Sequence, residues 1–130
     1  MNMSERKILL IENDEGISGS LRDACNQSGI HVDIVADAHD GLELARQKQH
    51  DVVVIDAELP KCNGFILCRL LKYDDRFRTI PVVVIGSTGD DIETGRQAGA
   101  NEVVMKPVSP DDFFSKIHPL FPSNPNNQES

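Results

Sequence analysis

The sequence predicts an α/β domain in which a parallel β-sheet is covered by helices on both faces. Three observations lead to this prediction: five short apolar runs of strand length, helical segments that alternate with those runs, and a length of 130 residues, which is enough for one domain with a substantial core. Hydrophobic residues make up 39% of the chain and charged residues 26%, which excludes the disordered and fibrous classes.

Five apolar runs predict the strands of that sheet. The third run, from Val52 to Ile55, is almost purely β-branched and ends at Asp56, as expected for a central strand. The first run stops at a cluster of acidic residues, and the fourth begins after Pro81. The predicted strands cover residues 7–11, 31–36, 52–56, 82–85 and 102–105.

Helical periodicity or capping residues mark the segments between the strands. In the first segment Ile17 and Leu21 recur on one helical face. Asp37 and Ser109 are of the residue types that cap helix N-termini. The fourth segment is the weakest, because it has few apolar residues and contains Gly95, which costs a helix about 1 kcal/mol relative to alanine. The predicted helices cover residues 16–28, 38–45, 65–72, 90–98 and 110–121.

The charge balance and the absence of certain segments exclude several classes of protein. Lys and Arg number 13 against 21 Asp and Glu, which gives a formal net charge of −8. We therefore expect the domain to bind neither nucleic acid nor an anionic membrane surface. No apolar run reaches the roughly 20 residues of a membrane-spanning helix, and the first seven residues lack the apolar core of a signal peptide. The three cysteines form no C-x-x-C pair, so we expect a cytoplasmic protein.

The predicted elements also set the domain boundaries. Residues 1–6 are a short N-terminal extension, and residues 7–121 form the domain. Residues 122–130 contain two prolines, three asparagines and no large apolar side chain. This composition predicts a disordered tail or a truncated linker.

Chemically active side chains follow the predicted strands at the points where those strands end. Glu12 and Asp14 follow the first strand, Asp56 ends the third, Ser87 follows the fourth and Lys106 follows the fifth. Because the carboxyl ends of parallel strands meet at one edge of a sheet, we expect these side chains to lie close together. Clustered carboxylates favour Mg²⁺, and a lysine beside them favours a phosphoryl group. From spacing alone, the alternative is a set of ordinary loop acids without a metal.

Taken in order, five groups of residues resemble the receiver domain of two-component response regulators, a match that runs from about residue 7 to residue 121. They are Glu12-Asn13-Asp14, Asp56-x-x-Leu59-Pro60-x-x-x-Gly64, Ile80-Pro81, Ala98-Gly99-Ala100 and Lys106-Pro107. Each group is a weak signal alone, but each stands at a predicted strand end or turn in the family's order. The resemblance implies a three-layer, doubly wound (βα)5 fold of flavodoxin-like type, with strand order 2-1-3-4-5.

The resemblance also implies a signalling function in a phosphorelay. Asp56 would accept a phosphoryl group from a histidine kinase or a phosphotransfer protein, and Lys106 would neutralise the phosphoryl oxygens. Such a domain is not an enzyme in the ordinary sense; at most it assists its own phosphorylation and dephosphorylation. A downstream protein partner would bind the face formed by helix 4, strand 5 and helix 5, or helix 1.

The same resemblance implies a set of ligands for Mg²⁺. It consists of Glu12, Asn13, Asp56 and the backbone carbonyl of Glu58, so the type of side chain at position 58 should matter little to the metal. The family usually has an acid where this chain has Asn13, and losing one negative charge should weaken Mg²⁺ binding. Asp14, one residue further along, is the alternative ligand.

Two further positions depart from the family pattern. Gly86 stands where the family has a serine or threonine, so Ser87 or Thr88 could contact the phosphoryl group only through a rearranged loop. Val103 stands where the family has an aromatic residue that moves on activation. These departures leave two hypotheses open: a working phosphoacceptor, or a pseudo-receiver that acts as a phosphorylation-independent protein-interaction module.

Overall fold

A computed structural model describes residues 5–122 as a five-stranded parallel sheet covered by helices on both faces. Counting only the strands of this sheet, their order is β2-β1-β3-β4-β5, and every neighbouring pair is parallel. This topology confirms the predicted fold and strand order. The strands are β1 (Lys7–Ile11), β2 (His31–Val35), β3 (Val52–Asp56), β4 (Val82–Gly86) and β5 (Glu102–Met105).

Five helices alternate with the strands, as predicted, and their ends differ from the prediction by a few residues. The predicted N-caps are confirmed: the side chain of Asp37 accepts a hydrogen bond from Asp40 N, and that of Ser109 accepts one from Asp112 N. The last helix continues as a 3₁₀ turn over His118–Leu120. The helices are α1 (Glu15–Gln27), α2 (Ala38–Gln47), α3 (Gly64–Tyr73), α4 (Asp90–Gln97) and α5 (Pro110–Ile117).

The two faces of the sheet are covered by different helices. Buried side chains of α1 and α5 pack on one face, while those of α2, α3 and the end of α4 pack on the other. All five residues of β3 and of β4 are buried, because these strands lie at the centre of the sheet with helices above and below. No helix among residues 5–122 is long and apolar enough to cross a membrane.

A small hairpin connects β3 to α3. Glu58–Leu59 pairs with Cys62–Asn63 in antiparallel fashion around a turn in which Lys61 has a φ of 65°. The predicted turn at residues 59–64 is therefore a hairpin that returns the chain to the sheet edge. Gly64 begins α3 against the backbone of β3: a Cβ at this position would collide with the carbonyl oxygen of Asp56. Glycine is required there by this close approach.

Gly95 lies within the polar helix α4, where the helix packs closely against β5. It is buried, and a Cβ on it would lie 2.7 Å from Cγ2 of Val103 in β5. The predicted weak helix therefore does form, and its glycine lets α4 lie close to the sheet. Most of the predicted N-terminal extension and of the predicted tail lies outside the described residues.

Candidate functional site

The site is centred on Asp56, the last residue of β3. Its side chain is 1% exposed, although a carboxylate is rarely so buried without partners. Oδ1 accepts a hydrogen bond of 2.8 Å from the backbone N–H of Glu58, and Oδ2 lies 3.0 Å from Nζ of Lys106. The sheet supports this position because β3 is paired on both sides, so the carboxylate stands at a rigid edge.

Lys106 enters the site directly after β5. Its backbone N–H donates to the carbonyl of Gly86 at 2.9 Å, which ties it to the end of β4, and its peptide bond to Pro107 is cis. Partial burial lowers the pKa of the Lys106 ammonium, but its hydrogen bonds to Asp56 and Glu58 outweigh that effect and raise the pKa above its usual value. Lys106 is therefore a fully charged counterion for the buried Asp56.

Glu12 is a second buried carboxyl at this edge, just after β1. It is 3% exposed, and Oε2 accepts a hydrogen bond of 3.1 Å from the backbone N–H of Asp14. Its other oxygen, Oε1, is buried and has no hydrogen-bond partner among the described residues. Burial raises the pKa of Glu12 to about 8, and the neighbouring Asp56 adds to the rise. An acid that is buried with an unpartnered oxygen beside another carboxylate is suited to a cation.

The donor set partly fits a magnesium ion. The carboxyl groups of Glu12 and Asp56 supply the hard oxygen ligands that Mg²⁺ prefers, and the unpartnered oxygen of Glu12 needs a cation or a proton. Asn13 is exposed, and Asp14 uses Oδ1 to cap α1 by accepting from Ile17 N at 3.1 Å. Within residues 5–122, no group of three or more His, Cys, Asp or Glu side chains is arranged to hold a metal.

The side chain of Glu58 also takes part in the site. Its Oε1 accepts hydrogen bonds from Ser87 Oγ at 2.9 Å and from Lys106 Nζ at 3.2 Å. The bond from Ser87, and then the bond from Lys106, lower the pKa of Glu58. The sequence showed an acid two positions after Asp56 but carried no signal that its carboxylate would reach a lysine 48 residues away.

The loop after β4 is arranged so that Ser87, rather than residue 86, presents a hydroxyl to the site. Asp91 holds this loop: its Oδ2 accepts from Ser87 N at 2.7 Å and from Thr88 N at 3.1 Å, and the first of these bonds chiefly lowers the pKa of Asp91. Gly86 is buried, and a Cβ there would lie 2.8 Å from Cβ of Asp91. The sequence did not single out Asp91.

Thr88 and Val103 form no hydrogen bond to Asp56, Glu58 or Lys106 within residues 5–122. Thr88 is exposed, and Val103 is half-buried under α4 against Gly95. The structure thus brings together five of the predicted residues, namely Glu12, Asp56, Glu58, Ser87 and Lys106.

Comparison with known proteins agrees with this geometry. A family model described as the response regulator receiver domain matches residues 8–118. AfsQ1, a transcriptional regulatory protein of Streptomyces coelicolor, is 35% identical over 103 residues, which are 78% of this chain and 44% of AfsQ1. RpaA, a DNA-binding dual master transcriptional regulator of Synechocystis, is 31% identical over 116 residues, which are 88% of this chain and 48% of RpaA. The chain therefore spans about half the length of these curated relatives.

A solved structure shows the same fold. The chemotaxis response regulator CheY4 of Vibrio cholerae matches with a TM-score of 0.83 at 18% identity, covering 91% of this chain and 100% of that chain. The family match covers the two buried acids, Glu12 and Asp56, and Lys106. This chain belongs to the receiver domain family of two-component response regulators.

Proposed function

We propose that this domain accepts a phosphoryl group on Asp56 from a histidine kinase or a phosphotransfer protein. The observation that carries the proposal is the buried Asp56 carboxylate with Lys106 Nζ 3.0 Å from its Oδ2. A carboxylate is a competent nucleophile for phosphorus, and a fixed ammonium beside it counters the charge that builds up during transfer. The family to which the chain belongs supports the same role.

Transfer would proceed by displacement at phosphorus. An oxygen of Asp56 attacks the phosphorus of a phosphohistidine, a P–O bond forms, and the P–N bond breaks with its electron pair leaving on the imidazole nitrogen. Lys106 neutralises charge on the transferring oxygens, and the hydroxyl of Ser87 donates a hydrogen bond to another of them. The domain therefore assists its own phosphorylation. Water can later attack the same phosphorus, which breaks the P–O bond to Asp56, restores the carboxylate and releases inorganic phosphate.

We further propose that Mg²⁺ takes part, held by Glu12, Asn13, Asp56 and the backbone carbonyl of Glu58. When bound, the ion would supply positive charge for the two acids and for the phosphoryl oxygens. The unpartnered buried oxygen of Glu12 supports this assignment. Asn13 contributes a neutral oxygen, so binding is expected to be weak.

A pseudo-receiver is the second candidate, and one observation favours it. Lys106 and Ser87, the two groups that would contact a phosphoryl group, are both bonded to the carboxylate of Glu58. In this alternative the domain binds its partners without phosphorylation, through the α4–β5–α5 face or α1. Under either candidate we expect a cytoplasmic signalling protein, and DNA binding would belong to segments beyond this domain.

Labelling by a small phosphodonor separates the two candidates. The chain is incubated with acetyl phosphate, with Mg²⁺ or with EDTA, and its intact mass is measured. A phosphoacceptor gains one phosphoryl group in Mg²⁺, whereas Asp56→Asn gains none because an amide is a poor nucleophile. Asp56→Glu should not restore labelling, since the longer side chain displaces the oxygen. If the wild-type chain is folded but is not labelled, the pseudo-receiver is favoured. If Asp56→Asn is fully labelled, the phosphoryl group is attached to a residue other than Asp56.

A further inference from the structure

Helix α3 exposes an apolar stripe that the proposed phosphoacceptor site does not use. Its three side chains are large and more than half exposed: Ile66 at 57%, Leu70 at 56% and Tyr73 at 83%. They are spaced i, i+4 and i+7, so they lie on the same face of the helix. We call these three residues the α3 stripe.

The α3 stripe is not part of the core-facing side of the helix. Leu67, Cys68 and Leu71 of the same helix are buried against the sheet. By contrast, the exposed positions of α1, α2 and α5 are polar or glycine. Ile92 of α4 is the one other large hydrophobic side chain exposed among residues 5–122. A contiguous apolar face turned to solvent is typical of a docking surface.

The segment that carries the α3 stripe is basic, although the chain as a whole is acidic. The net charge of the chain is −8, yet residues 61–78 carry five Lys or Arg and two acids, a surplus of three positive charges. Arg69 adjoins Leu70, is exposed and forms no ion pair within residues 5–122. Arg76 is bonded through two nitrogens to Asp74 and is therefore partly neutralised. Arg69 is thus the cation available to a partner at the stripe.

We propose that the α3 stripe binds an amphipathic helix of another protein, whose apolar face is bordered by acidic residues. The stripe runs from Ile66 to Tyr73, eight residues or about 10 Å along the helix axis, which matches two turns of a helix laid beside it. Acidic border residues would complement Arg69 and the other cations of residues 61–78. This inference goes beyond the proposed phosphotransfer and does not depend on Asp56.

Two other occupants fit the charges less well. A symmetric dimer through α3 would bring Arg69 of each copy toward the same face, so like charges would meet. An anionic membrane extends far beyond the stripe, so the net charge of −8 on the chain would oppose it, whereas the acidic border of a single helix would lie beside Arg69. Both remain measurable outcomes of the same experiment.

Titration with a pair of synthetic peptides tests the proposal. The acidic peptide is a helix with leucine at core positions and glutamate at the bordering positions, and the control peptide has lysine in place of every glutamate. The full chain, labelled with ¹⁵N, is observed by NMR. The acidic peptide should shift the resonances of the α3 stripe, and the lysine peptide should bind at least tenfold more weakly. Equal binding of the two peptides, or shifts confined to other elements, would overturn the proposal.

Substitutions on the surface of α3 test the proposal further. The substituted residues are exposed, so these changes should cost little stability. Ile66→Ser with Leu70→Ser should weaken the acidic peptide at least tenfold, since two apolar contacts are lost. Arg69→Glu should weaken the acidic peptide and strengthen the lysine peptide. The matched control, Ile92→Ser, removes an equally exposed side chain from another helix and should leave binding unchanged.

Thermal unfolding confirms that each variant is folded. Two further outcomes would overturn the proposal. If Leu70→Ser abolishes self-association of the wild-type chain, the occupant is a second copy and the proposal fails. It also fails if the chain binds vesicles containing phosphatidylserine through Leu70 but does not bind the acidic peptide.

Discussion

The carboxylate of Glu58 lies 3.2 Å from Nζ of Lys106, so the lysine is shared between Glu58 and the buried Asp56. Ser87 donates to the same Glu58 oxygen at 2.9 Å. A phosphoryl group arriving at Asp56 would need both of these donors. Under the proposed function, Glu58 would therefore compete with the phosphoryl group for Lys106 and Ser87, and it would add a negative charge where the anion must enter.

Replacing Glu58 with glutamine should speed phosphorylation. Glu58→Gln keeps the length of the side chain and an acceptor oxygen but removes the charge that repels the phosphodonor and holds Lys106. We expect labelling by acetyl phosphate to be several-fold faster than in the wild-type chain, measured as the initial rate of mass gain. Asp75→Asn, which neutralises an exposed acid elsewhere, should leave the rate unchanged. A rate for Glu58→Gln equal to or below that of the wild type would contradict the competition.

Stability without Mg²⁺ should fall as the pH rises, because of Glu12. Burial raises the pKa of Glu12 from 4.5 to about 8, so the folded state holds a proton that the unfolded state releases. For such a group the stabilisation is complete below pH 4.5 and is lost progressively as the pH rises toward about 8. Urea unfolding in EDTA between these limits should therefore show a falling free energy of unfolding.

Glu12→Gln serves as the control for this pH dependence. The amide does not titrate, so the variant should lack the fall and should become more stable relative to the wild type at the upper end of the range. Added Mg²⁺ should stabilise the wild type more than the variant, because binding requires the ionised carboxylate. Parallel pH curves for the two proteins would show that Glu12 is not the titrating group.

Restoring an acid at position 13 should strengthen Mg²⁺ binding. Asn13 is exposed beside the buried acids, and Asn13→Asp adds one carboxylate to a cation site. The gain should be on the order of 1 kcal/mol, or about a fivefold lower Kd by calorimetry. Asp14→Asn keeps the oxygen that caps α1 and removes only charge, so it should weaken Mg²⁺ binding much less than Asn13→Asp strengthens it. An unchanged Kd in Asn13→Asp would exclude residue 13 as a ligand.

The sheet and the position of Asp56 could be predicted because they depend on local patterns. The run Val52–Asp56 is apolar up to its final residue, and this alone places a carboxylate at a strand end. Lys106 follows β5 for the same reason. Those two placements, combined with parallel topology, were sufficient to predict that the side chains meet.

The loop contacts could not be predicted in the same way. Ser87 reaches Glu58 because Asp91 bonds two backbone N–H groups and fixes the loop after β4, which is an interaction between side chain and backbone with no periodic signature. Gly86 has no hydroxyl, and Ser87, which the sequence offers as a candidate contact, donates its hydroxyl to Glu58. From the sequence, Gly95 only weakens α4. Its packing role could not be predicted, because the contact with Val103 depends on how closely α4 approaches β5, which no sequence pattern specifies.

The contact between Gly95 and Val103 leads to the last prediction. Alanine usually stabilises a helix by about 1 kcal/mol relative to glycine. At position 95, however, the added Cβ would lie 2.7 Å from Cγ2 of Val103, and overpacking of this kind costs about 1–3 kcal/mol. Gly95→Ala should therefore lower the free energy of unfolding. In contrast, Gly19→Ala in α1, whose Cβ would have a nearest neighbour at 3.7 Å, should raise it.

A double-mutant cycle isolates the contact from the helix propensity. Val103→Ala removes the methyl group in question, so Gly95→Ala in that background should recover the usual benefit of alanine and become neutral or stabilising. Urea unfolding of the four proteins measures this coupling. If Gly95→Ala destabilises the chain equally in both backgrounds, the glycine is required for a reason other than Val103, and the approach of α4 to β5 is not what selects it.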